Sequence, residues 1–163
     1  MIAQLIVEGM GLGAILIAIC YVGIRKGAVH MVHLYHKDVQ DRCVELGLTS
    51  HEKIREHAAA IRMISMLVYI AYVLVCVYAI NGARGFTQGF LHVFVILSIM
   101  NLIDRFLIDE YWVGHTKMWI IPGTEDLQPY INAKDRIVKW ISGTVGMAVF
   151  ATVIAGVMTL IAR

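Results

Sequence analysis

Apolar positions in this chain fall in four long runs, residues 2–24, 63–80, 86–103 and 140–162, and the polar positions are gathered almost entirely between them. About 20 helical residues cross the hydrocarbon core of a bilayer, so each run is long enough for a span. In lipid the backbone must satisfy its hydrogen bonds inside the segment. The runs lack the alternation of barrel strands, so the pattern predicts helices. The expected fold class is all-α, an integral membrane four-helix bundle forming a single domain over residues 1–163.

The connections carry their own signals. No proline interrupts residues 21–46, and Gly47 stands where a glycine commonly follows a helix end. Thr49 with Glu52 three residues on reads as a capping box opening the next helix. Helices 1 and 2 are therefore expected to extend past their spans as a cytoplasmic helical hairpin, with the His36 region facing Ala60 and Asp41 opposite Arg55. Asn81-Gly82 and Gly85 predict a tight turn. Helix 3 is expected to run past Asp104 to Val113 and stop at Gly114. Tyr111, Trp112 and Trp119 with Ile120 and Ile121 suggest a segment lying in the headgroup zone. Pro122-Gly123 is a turn, and Pro129 suits the first turn of helix 4.

Composition narrows the class. A chain that is 59% apolar, with mean hydropathy +0.71, exceeds the share of about one half typical of soluble domains. The net charge of +2 says less than its distribution. Arg25, Lys26, Lys37, Arg42, Lys53, Arg55 and Arg62 lie in the first connection, and Arg105, Lys117, Lys134, Arg136 and Lys139 in the third. The short turn has only Arg84 and the C-terminus only Arg163. The positive-inside bias places both long connections in the cytoplasm and both termini outside. Arg25-Lys26 follow the first run rather than precede it, as in an anchor and not a cleaved signal. Three cysteines without a C-x-x-C spacing indicate neither a disulfide framework nor a redox motif. The basic residues are interspersed with acids and suit the inner-leaflet surface, so nucleic-acid binding is not expected.

Six of the seven histidines and eleven of the twelve carboxylates lie in residues 25–62 and 104–139. On a continuous helix His30, His33 and His36 would occupy one arc, and neutral imidazole is the commonest protein metal ligand. Asp104, Asp109 and Glu110 fall in the last turns of helix 3, where the macrodipole disfavours carboxylates, and Arg105, Arg62, Lys117 or a bound cation should compensate them. Asp104 directly follows an apolar run, and an ionisable group at membrane depth is a functional-site hypothesis by default. His33, His36, His57, Asp104 and His115 are thus candidate ligands for zinc, iron or manganese, with Asp109 or Glu110 as catalytic base. The bland alternatives are solvated juxtamembrane histidines and an Asp104 ion pair with Arg62 or Arg25. His92 lacks a second spanning histidine, which argues against a bis-histidine haem, and is expected to bond a neighbouring helix. Glu8 lies within the first run. Glycines in helices 1 and 4, among them Gly9, Gly13, Gly143 and Gly146, permit close helix packing or a homo-oligomer.

The segment His115-Thr-Lys-Met-Trp-Ile-Ile-Pro-Gly-Thr-Glu-Asp126 resembles a motif of uncharacterised small bacterial four-helix integral membrane proteins. The resemblance implies a bacterial inner membrane and no particular activity. The leading expectation is a metal site at the cytoplasmic membrane face, acting on a membrane-associated substrate. The alternatives are an oligomeric transporter or channel subunit, and an accessory subunit that docks a cytoplasmic partner.

Overall fold

The computed structural model describes residues 1–161, and no strand occurs among them. Four helices are long and apolar enough to cross a membrane: α1 (Ile2–Ile24), α3 (His51–Leu74, prolonged by π-helical Val75–Ile80), α4 (Gly85–Ile103, prolonged by π-helical Asp104–Val113) and α5 (Ala133–Ile161). The last residue of the expected fourth span, Ala162, lies outside the described residues. A shorter helix, α2 (Lys37–Glu45), and a 3-10 segment (Ala28–Leu34) make up most of the first connection.

The expected hairpin forms on one side only. Helix α3 does continue outward to His51, but α1 stops at Ile24. The cause is Gly27, whose φ of 108° lies where glycine alone is comfortable, and whose N–H closes a turn onto the Ile24 carbonyl at 2.8 Å. Beyond it the chain folds back, so that Met31 packs over Gly23. His51 approaches Asp41 at 3.8 Å, and the His30 and His57 rings stack at 6.0 Å, in place of the expected Asp41–Arg55 and His36–Ala60 pairing.

Gly47 does end α2, in a full Schellman motif: Gly47 N–H bonds the Val44 carbonyl and Leu48 N–H the Cys43 carbonyl, both at 3.0 Å. The cap of α3 is Ser50, which accepts from Lys53 N–H at 3.3 Å, one residue beyond the expected Thr49. Helix α5 begins with an Asn132/Asp135 capping box, each side chain accepting the other's backbone N–H at 3.0 Å. Pro129 therefore precedes the helix rather than sitting in its first turn.

Helix α4 lies between α1 and α5. Helices α1 and α4 run in the same direction: a Cβ on Gly9 would stand 2.6 Å from that of Ile99, and one on Gly13 would collide with Ile103. Helix α5 runs opposite to α4, with Gly89 beside Ala155 and Gly143 beside Asn101. Only Ala151 and Ala155 of α5 are buried, and Ile141, Val145, Val149 and Val153 stand exposed. A second core lies at the connection end, where Trp119 and Ile121 are buried with Tyr35, Tyr130, Ile108 and Cys43. Trp119 and Ile121 thus fill an interior instead of lying along a surface.

Candidate functional site

Asp104 and Asp109 are five residues apart, roughly 140° round a regular α-helix at 3.6 residues per turn. The π-helical winding from Asp104 onward bonds i to i+5 and brings both carboxylates to Arg105. The guanidinium meets Asp104 Oδ2 at 3.1 Å, donates to Asp109 Oδ2 at 2.6 Å, and donates through Nε to Asn101 Oδ1 at 3.3 Å. From α5, Lys139 donates to the same Asp109 oxygen at 3.1 Å. The side chains of Arg105 and Asp109 keep only 15% and 16% of their exposure, so these pairs are partly desolvated and poorly screened. Two anions and two cations sum to zero.

Three adjoining cavities run past this cluster. The outermost, about 490 Å³, is lined by Asp109, Glu110, His115, Lys117 and Arg136 among others. The middle one, about 340 Å³, is walled by Tyr35, Trp119, Tyr130 and Leu34 on the connection side and by Asp104, Arg105, Asp109 and Lys139 on the helices. Asp109, Val113, Tyr130 and Ile131 line both. The innermost, about 370 Å³, lies between α4 and α5 and is largely apolar, with Leu97, Met100, Gly146, Met147 and Phe150. Leu16, Asp104 and Arg105 line both the middle and the innermost cavity. Charged lining gives way to apolar lining along this row of cavities.

The connection segments that close the middle cavity are held by specific bonds. Tyr35 donates to the Trp119 carbonyl at 2.5 Å and stacks edge-on against Tyr130 at 5.0 Å. Thr124, fully buried, pairs its hydroxyl with that of Tyr130 at 2.8 Å. Burial, with Tyr130 and Cys43 nearby, pushes the Tyr35 phenol well above its ordinary range, so it remains a neutral donor. The indole N–H of Trp119 is buried without a partner.

The candidate ligands do not converge. His36 bonds Asp135 at 2.6 Å, and His115 donates from Nδ1 to the Glu110 carbonyl at 2.9 Å. His57 stacks on His30, and Glu110 pairs with Arg136 at 2.9 Å. Asp104 is paired with its neighbour Arg105, not with Arg62 or Arg25. Among the described residues no three His, Cys, Asp or Glu side chains are gathered as a metal ion would need. The structure does bring Asp109, Glu110 and His115 to one cavity wall. Sequence reasoning named Arg105 only as a compensating charge, and missed Lys139, Tyr35 and Trp119 as site residues. A cation directly after Asp104 in an otherwise apolar helix was the available signal. His92 Nδ1 lacks the bond expected of it, whereas Glu8 is buried and accepts from Asn81 at 2.8 Å and Gln4 at 3.3 Å.

No protein-family model matches this chain, and neither a curated protein nor a solved structure does. Function has to be argued from the site itself.

His33 supplies a pH test of the connection. Burial, the nearby His57 and Arg62 hold its imidazole below the ordinary value of 6.5. Unfolded chain then takes up a proton that folded chain refuses, so the stability contributed by neutral His33 is present above pH 6.5 and is lost as pH falls through that value toward the depressed folded pKa. Thermal midpoints at pH 7.5 and 5.5 should drop more for the wild type than for His33→Gln. Equal drops would show that His33 titrates alike in both states.

Proposed function

We propose that this is an integral membrane protein, with both long connections in the cytoplasm and both termini outside, that binds an amphiphilic small molecule at the inner membrane boundary. Four long apolar helices with exposed apolar faces and twelve Lys and Arg residues in the two long connections support the placement. The observation that carries the binding function is the run of cavities past Asp104, Arg105, Asp109 and Lys139. A molecule with a polar head and an apolar remainder finds a matching wall at each depth. The middle cavity lies within the range of about 300–1,000 Å³ usual for ligand pockets. Asp109 and Lys139 belong to different helices, so a bound head also ties α4 to α5.

A metal-centred reaction draws no support from these positions, because Arg105 and Lys139 already neutralise the two carboxylates and His36 and His115 bond other groups. Protein purified in mild detergent should carry about one amphiphile per chain, detectable by mass spectrometry after denaturing extraction. Lys139→Met should retain roughly one-tenth as much or less, since a hydrogen bond to a charged group contributes about 1.5–3 kcal/mol and 1.4 kcal/mol is tenfold. Extracts of wild type that match the surrounding membrane in composition, with no difference in the variant, would refute the reading.

A further inference from the structure

We infer that the occupant is a phospholipid with a zwitterionic, amine-bearing head, its acyl chain lying in the innermost cavity between α4 and α5; this rests on the amphiphile reading above. Two independent features specify it. The first is charge. Asp104, Asp109, Arg105 and Lys139 balance, so a head with net charge would leave an uncompensated ion in a half-buried site. A head carrying one ammonium and one phosphate adds no net charge. Its ammonium suits Asp104 and Asp109, whose Oδ1 atoms make no ion pair or hydrogen bond among the described residues. Its phosphate suits Lys139, whose ammonium lines the same cavity.

The second feature is room. Gly146 is exposed and lines this cavity as an open groove, where a Cβ built on it meets nothing within 4 Å. Its neighbour Gly143, by contrast, is already filled against, with Asn101 Oδ1 at 3.3 Å and Arg105 beyond. The space beside Gly146 is therefore not used by the protein's own helix packing. It opens onto Arg105 at one end and onto Leu97 and Phe150 along its length. An acyl chain entering there keeps its head at the charge cluster.

Gly146→Leu fills that space from within. It should not weaken the helix, because glycine is about 0.8–1.0 kcal/mol worse than alanine in a helix interior. Native mass spectrometry of detergent-solubilised protein with added phosphatidylethanolamine, phosphatidylglycerol or phosphatidic acid reads the result. Wild type should retain phosphatidylethanolamine at least roughly tenfold over the two anionic lipids, a preference of about 1.4 kcal/mol. Gly146→Leu should lose that retention by a similar factor with an unchanged thermal midpoint. If Gly146→Leu fails to fold, Met147→Trp on the same wall takes its place. Retention in the filled variant equal to wild type would overturn the acyl-chain placement while leaving the amphiphile reading intact. Equal retention of all three lipids would overturn the head assignment. A Lys139-dependent ligand that is not a lipid would overturn this inference alone, and no bound amphiphile of any kind would overturn both.

Discussion

Replacing Trp119 by alanine is expected to loosen the connection end by about 3–5 kcal/mol, the usual cost of removing a buried tryptophan from a packed core. Its ring is 2% exposed, lies 5.4 Å from Trp112 and 6.4 Å from Tyr35, and its carbonyl receives the Tyr35 hydroxyl. Cys43 reports the change. It is fully buried in the same core, and burial raises its thiol pKa, so labelling requires opening. At 1.4 kcal/mol per tenfold, Trp119→Ala should speed labelling of Cys43 by roughly a hundredfold or more. Trp119→Phe keeps most of the ring and should cost far less, while removing the unpartnered N–H. Slow labelling in the alanine variant would mean that the connection is held by its ends and not by this core.

Arg105→Gln should be comparably severe for a different reason. Removing one partner of a buried pair costs about 3–5 kcal/mol because the remaining charge is stranded. Here two carboxylates lose their guanidinium, and only Asp109 keeps a cation, Lys139. Neutralising Asp104 as well, in Asp104→Asn/Arg105→Gln, should restore much of the thermal midpoint, since Asp109 and Lys139 then balance each other. A single variant as stable as wild type, or a double variant worse than the single one, would show that these groups are solvated and not coupled.

The long elements were legible because membrane-length apolar runs leave little choice of structure. The run at 2–24 coincides with α1, and the runs at 63–80 and 86–103 lie inside longer helices. Gly47, Gly82 and Gly85 stand where the sequence placed a helix end and the turn, whereas helical winding runs through Gly114 to His115. Gly27 shows the limit. The absence of proline suggested continuity, yet Arg25-Lys26-Gly27 is itself a stop signal, basic residues followed by glycine, and it prevailed. That one break leaves His30 and His33 in a 3-10 segment and sets His36 at the start of α2, and no metal-sized cluster of ligands forms among the described residues. The π-helical winding of residues 104–113 was illegible, because nothing in residue order announces an i to i+5 bond. The pairing of Asp104 with its own neighbour follows from that winding. Trp119 looked like an interfacial aromatic, and Tyr35 and Tyr130 gave no signal, because only the tertiary fold of the connections encloses them.

The parallel course of α1 and α4 has a consequence for how the chain is made. The glycine face of α1 is complementary to isoleucines some 90 residues further along, and the intervening α3 touches α1 far less. During synthesis, which proceeds at about 5–20 residues per second, Gly9 and Gly13 have no partner until Ile96, Ile99 and Ile103 emerge. The first helix must wait, its glycine face uncovered, for the third long one to arrive. A nascent chain arrested before residue 96 therefore exposes a sticky glycine seam that the finished protein conceals.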